Sequence, residues 1–172
     1  LFGSLQDIKL ALVRSEKALE QSEIERRQQS DYFREISEHI NEALWLAAIG
    51  ETPFFVNGAY ETIWGRSAAS IYADPRTFAD SLHPEDRERI IAGLPEQKSG
   101  SYTVEYRVVR RDGSIRWVRD RAFPIRNENG DIYRIAGITE DITERKQVEQ
   151  DRLELAVERE KVSLLRDFIS EF

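Results

Sequence analysis

The chain contains no cysteine. Disulfides, thiolate metal sites, cysteine nucleophiles and cysteinyl adducts are therefore excluded. Methionine is absent too, and the chain opens at Leu1, so a piece of a longer polypeptide is expected. Only two histidines, His39 and His83, are present. Glycine and proline number nine and five in 172 residues, which leaves long stretches free of turn punctuation. No apolar run approaches a membrane span, and no signal-peptide pattern opens the sequence. There is no glycine-rich phosphate loop, and no spacing of acidic residues singles out a catalytic pair. The expectation is a cytoplasmic, non-catalytic segment without membrane insertion.

Basic residues number 25 and acidic residues 32, for a net charge of −7 and a pI near 5.1. That balance argues against nucleic acid as a partner. Charged residues make up 33% and hydrophobic residues 40%, which is wetter than an average globular domain. The excess charge belongs to segments that bury little surface.

Residues 1–41 form the first such segment. They hold no proline, and Gly3 is their only glycine. Ser4 with Asp7 has the spacing of a helix-capping arrangement. Leu5, Leu12, Leu19, Arg26, Phe33 and Ile40 recur every seven residues. The companion positions are Ile8, Ser15, Ser22, Gln29, Ile36 and Ala43, good only at the two ends. This pattern predicts a coiled-coil helix with a polar middle, its dimer seam running through Leu5, Ile8, Leu12, Leu19, Phe33, Ile36 and Ile40. A single amphipathic helix lying on its own domain is the alternative.

Residues 42–142 change character. Short strands are expected at Leu44–Ala48 and Pro53–Asn57, with a turn at Gly50-Glu51. Short helices are expected at Ala59–Trp64 and Ala68–Tyr72. His83-Pro84-Glu85-Asp86 reads as a helix start, with proline in the first turn and acids at the positive dipole end. That helix runs to about Leu94, where Pro95 stops it. Three alternating strands follow: Tyr102–Val108, Ile115–Ile125 and Tyr133–Glu140. Asp112-Gly113 and Asn129-Gly130 mark the hairpin turns between them. The order predicts an α+β domain: an antiparallel sheet with helices on one face.

From residue 143 the chain is helical again, with Asp141 and Glu144 spaced as a capping box. Val148, Leu155, Val162 and Ile169 extend a seven-residue repeat, joined by Leu165 and Phe172, while Asp151 and Glu158 interrupt the partner seam. Pairing is expected to strengthen toward the end.

Asn57-Gly58-Ala59-Tyr60, Trp64-Gly65-Arg66-Ser67 and Leu82-His83-Pro84-Glu85-Asp86-Arg87 together resemble a PAS domain. The resemblance deepens at Tyr106-Arg107, Asp112-Gly113-Ser114, Arg116-Trp117-Val118, Pro124, Gly130, Gly137-Ile138 and Asp141-Ile142-Thr143-Glu144-Arg145-Lys146, which are similar to the PAC half of that family. It implies a five-stranded antiparallel sheet cupping short helices between long coiled-coil helices. It also implies a sensing or relay role, with a signal passed along flanking helices to a histidine kinase, a cyclic-dinucleotide enzyme or a similar output domain in the same polypeptide. Leu164–Phe172 further resembles the run that leads into a histidine-kinase dimerisation helix, whose phospho-accepting histidine would lie beyond the end.

Against that resemblance, His39 lacks the proline of a phospho-acceptor setting, and His83 sits at a helix cap; both read as structural. Haem and non-covalent flavin stay open as cofactors, but no residue demands either. A light-type flavin adduct needs the missing cysteine. Trp45, Trp64 and Trp117 are aromatic anchors of a core or interface. Any ligand is expected between sheet and helices, near Phe55, Tyr72, Phe78, Ile90, Tyr106, Val108, Val118 and Asp120. Alternation from Val118 to Ala122 turns Asp120 inward, where a carboxylate must find a partner. An internal arginine is the expected one, a ligand the alternative. Asp141, Ile142 and Thr143 are expected to form the junction between the last strand and the outgoing helix.

Overall fold

The computed structural model describes residues 4–49, 51, 53–74, 76–93 and 102–170. The expected stops at Gly50, Leu94 and Pro95, and the seam position Phe172, lie outside them. Contacts divide the chain into two compact units, one up to Ile40 and one from Asn41 onward.

The first unit is α1, Leu5–Glu38. Its start is the anticipated capping box. The Ser4 hydroxyl accepts the Asp7 amide at 3.2 Å, and the Asp7 carboxylate accepts the Ser4 amide at 2.9 Å. Two otherwise orphaned amides are thus satisfied where the macrodipole favours an acid. Leu5, Ile8, Leu12, Leu19, Phe33 and Ile36 are all exposed along α1. Ile40 is a correction to the expected seam: the helix ends at Glu38, so Ile40 lies past it.

The second unit carries β1 (Ala43–Ala48), β2 (Pro53–Val56), α2 (Ala59–Trp64), α3 (Ala68–Ala73), α4 (Arg76–Ser81) and α5 (Pro84–Gly93). These are followed by β3 (Tyr102–Val109), β4 (Ile115–Arg126), β5 (Ile132–Asp141) and α6 (Thr143–Ser170). The five strands form one antiparallel sheet in the order β2-β1-β5-β4-β3. The β3–β4 and β4–β5 hairpins turn at Gly113 and Gly130, whose φ values of +83° and +86° suit glycine. Helix α4 was not anticipated, because six residues with Phe78 as the one large apolar side chain carry no readable period.

One face of the sheet and the helices α2 to α5 enclose the core. Tyr60, Ile63, Trp64, Ile71, Leu82, Ile90, Tyr106, Val108 and Val118 pack there as one cluster, with Phe78 against its edge. Phe78 meets Tyr106 edge to face, their ring centroids 6.3 Å apart. Asn57 ties the entry to β1 by accepting the Leu44 amide at 2.9 Å and donating to the Glu42 carbonyl at 3.0 Å. Arg110 closes the end of α2, donating to the carbonyls of Ile63 and Thr62 beside the left-handed Gly65.

Candidate functional site: a buried carboxyl and a helix junction

Cross-strand register places Asp120 opposite Val104 on one side and Thr139 on the other, on the inner face with Ala43. Asp120 is 5% exposed. Its Oδ1 accepts the Thr139 hydroxyl at 2.8 Å and the Trp45 indole N–H at 3.1 Å, and its Oδ2 faces the Tyr106 hydroxyl at 3.4 Å. No arginine side chain takes part in these bonds, which corrects the expected internal ion pair. Neutral donors satisfy the group instead: these three side chains and the Arg121 backbone amide. Burial pushes the Asp120 carboxyl above its ordinary range, and the bonds from Thr139, Trp45 and Tyr106 offset only part of that. Burial likewise raises the Tyr106 hydroxyl, with the Asp120 charge adding to it.

Trp45 reaches Asp120 only by lying across β5. Trp45 pairs with Gly137, and a Cβ there would stand 1.9 Å from the indole Cε2. Glycine at this strand position is therefore a close-approach requirement.

The other candidates divide. Phe78, Ile90, Tyr106, Val108 and Val118 belong to the core against which Asp120 sits. Phe55 does not. It pairs with Leu46, on the face that Ala136 and Phe123 share, so the inward alternation expected of it is reversed. Val56, which pairs with Trp45, is the inward residue of β2. Tyr72 is 44% exposed, and its hydroxyl accepts the Val56 amide at 2.8 Å, so it serves as a strand clamp. Sequence reasoning missed Tyr60 and Trp64 as polar positions. Both are buried, their rings stack at 4.9 Å, and the Trp64 indole N–H has no hydrogen-bond partner among the described residues. Burial pushes the Tyr60 hydroxyl up to about 12.

On the outer face, β4 and β5 meet the start of α6. The Ile142 amide donates to the Trp117 carbonyl at 2.8 Å, and the Trp117 amide donates to the Thr143 hydroxyl at 2.9 Å. The Asp141 carboxylate accepts the Thr143 amide at 2.9 Å and the Thr143 hydroxyl at 2.5 Å. The cap therefore closes on Thr143 rather than on Glu144, because the helix begins one residue later than the box requires. Ile142 is buried beneath this turn. Val148, Leu155, Val162 and Ile169 are exposed along α6.

Both histidines bond to backbone through Nδ1. His83 Nδ1 accepts the Glu85 amide at 3.3 Å within the cap of α5, and His39 Nδ1 contacts the Glu35 carbonyl at 2.7 Å. A cysteinyl flavin adduct has no residue to form on.

A family model described as the PAS fold matches residues 53–139. The chain belongs to the PAS-fold family. A domain of a putative light and redox sensing histidine kinase from Haloarcula marismortui is 37% identical, with a TM-score of 0.53 over 66% of this chain and 99% of that one. A blue-light-activated histidine kinase of Brucella anthropi is 30% identical over 82% of this chain and 28% of its own length. The sensor protein FixL of Bradyrhizobium diazoefficiens is 38% identical over 42% of this chain and 15% of its own length. The chain thus spans under a third of these curated relatives, and it is a PAS sensor domain related to sensor histidine kinases.

Proposed function

We propose that this chain is a dimeric, non-catalytic relay module of a bacterial sensor histidine kinase. It passes a change in the sheet along α6 to an output domain in the same cytoplasmic polypeptide. The observation that carries this reading is the junction. Helix α6 grows out of β5 without a linker, and the backbone of Trp117 holds both Ile142 and Thr143. A shift of β4 against β5 must therefore tilt or turn the helix. The exposed seven-residue repeats on α1 and α6 support pairing of two copies.

Rotation implies dependence on helical phase. One residue inserted between Arg145 and Val148 turns everything downstream by about 100°, whereas seven nearly restore the phase. In the parent protein, single insertions are expected to alter or invert output and a seven-residue insertion to be tolerated. Output indifferent to the series would reduce α6 to a tether. Deleting residues 1–40 is expected to weaken the dimer; an unchanged, tight dimer in sedimentation would place the seam elsewhere.

A second reading, a ligand held between sheet and helices, is favoured by the buried Trp64 indole N–H, which lacks a hydrogen-bond partner among the described residues. Its lining would be Phe78, Ile90, Tyr106, Val108, Val118 and Asp120. The absorbance spectrum and native mass of the purified chain distinguish the two readings, since only a filled cup adds mass.

A further inference from the structure

The junction explains how α6 is attached to the sheet. It leaves unexplained why Trp117, half-buried on the outer face, is ringed by charge. The Arg107 guanidinium carbon lies 5.3 Å from the centre of its ring, and the Lys146 ammonium lies 5.1 Å from it. Both cations are engaged elsewhere as well, and in different elements. Arg107, on β3, forks onto Asp86 of α5: its Nε and backbone amide each reach Oδ2 at 2.9 Å, and its Nη2 reaches Oδ1 at 3.0 Å. A further bond runs to Glu85 at 2.8 Å. The Arg107 carbonyl in turn accepts the His83 amide at 2.9 Å, so the first turn of α5 is docked on this one residue from both sides. Lys146, on α6, pairs with Glu105 of β3 at 2.7 Å, beside Arg145 at 2.5 Å. The Arg107 and Lys146 groups hold the Asp86 and Glu105 carboxyls below their ordinary values.

From this geometry we infer that the Trp117 ring is a positioning element coupling the first turn of α5 to the first turn of α6. The path is Asp86, Arg107, the indole face, Lys146. It differs from the backbone junction, which the same Trp117 makes, because it runs through side chains and begins on a helix that covers the core. A planar aromatic face suits this task. It attracts a cation without fixing a single bonding direction, so either cation can slide over the ring and shift the balance felt by the other. A carboxylate in its place would lock each partner into one fork geometry. The inference deepens the relay reading by naming the route into α6, and it rests on that reading only for its biological use.

Amide hydrogen exchange on the 172-residue chain tests it. Asp86→Asn weakens the grip on Arg107 without touching α6. Expected is faster exchange in residues 143–149 by about two- to fivefold, the scale of one exposed cation–π contact. Exchange at Val118 to Ala122, on the inner strand, is expected to hold steady. In a Trp117→Leu background the same Asp86→Asn change is expected to leave residues 143–149 unmoved. If Trp117→Leu does not fold, Lys146→Gln keeps the ring and removes the second cation, and it should silence the effect equally. Faster exchange confined to Pro84–Gly93, or an equal α6 response in the Trp117→Leu or Lys146→Gln background, overturns the coupling. The measurement needs no output domain. Phase-indifferent output in the insertion series would therefore remove the relay reading while this exchange result decides the coupling by itself.

Discussion

Asp86 and Asp120 are 7% and 5% exposed, respectively, yet their surroundings drive them in opposite directions. Asp86 meets a guanidinium that forks onto both its oxygens, and its carboxyl is lowered to about 2, chiefly by that side-chain bond. Asp120 meets an indole, a threonine hydroxyl and a tyrosine, and burial raises it. Burial alone therefore does not say what a carboxyl will do. The charge of its donors does: a cation compensates the lost hydration of the anion, whereas neutral donors do so only in part. The outer region of this domain is wired with ions, and the inner region meets its carboxyl with neutral donors.

The sharpest break of that comparison is at Asp120. Asp120→Ala leaves the Trp45 and Thr139 donors without an acceptor, each roughly a 1–3 kcal/mol penalty, so a loss of about 3 kcal/mol or more is expected in urea denaturation. Asp120→Asn keeps Oδ1 for both donors and turns an amide toward the Tyr106 oxygen, so its stability at neutral pH should equal or exceed that of the parent. The sign follows from the raised folded value. The folded state binds the proton more tightly than the unfolded one, so parent stability falls as pH climbs from 3.8 through that value. The asparagine variant lacks this fall, and its relative advantage should grow across the window. An Asn variant as damaged as the Ala variant would mean that the anion itself is required.

Asp86→Asn should behave in the reverse manner. Its folded value, lowered from 3.8 to about 2, contributes stability above 3.8 that is lost as pH falls toward about 2. The substitution is expected to cost about 2 kcal/mol at neutral pH and progressively less through that acidic window. A pH-independent deficit would show that packing, not charge, is what Asp86 supplies.

Gly137→Ala sharpens the comparison from the side of a donor. The new methyl displaces the Trp45 indole and detaches it from Asp120. A loss of roughly 1–3 kcal/mol is expected, with a changed near-ultraviolet circular dichroism signal from Trp45. An unchanged spectrum would mean that the indole has another seat.

Much of the fold was legible because it is local. The hairpins announced themselves at Asp112-Gly113 and Asn129-Gly130, the start of α5 at Pro84-Glu85-Asp86, and the start of α1 at Ser4 and Asp7. Each of these is a demand that a few neighbouring residues satisfy among themselves. Inward alternation of Tyr106, Val108, Val118 and Asp120 was legible for the same reason, since a long strand keeps its period. Phe55 was misread because β2 is four residues long and its register slips within the strand, so alternation had too little to count from. Ile40 was misread because a spacing of seven continues on paper past the point where the helix stops.

What the sequence determined alone was most of the inventory: every stretch of strand or helix but α4, that no thiol chemistry exists, and that one acid on β4 turns inward. Tertiary structure decided the partners. Trp45 stands 75 residues from Asp120 in the chain and Asp86 stands 21 from Arg107. Which donor reaches which carboxyl depends on β1 pairing with β5 and on α5 docking against β3. Local propensity carries no information about such pairings, because they are set by how whole faces bury against one another. The same residue type thus became a fixed anion in one place and a protonation-prone acid in the other through packing, not through its neighbours in sequence.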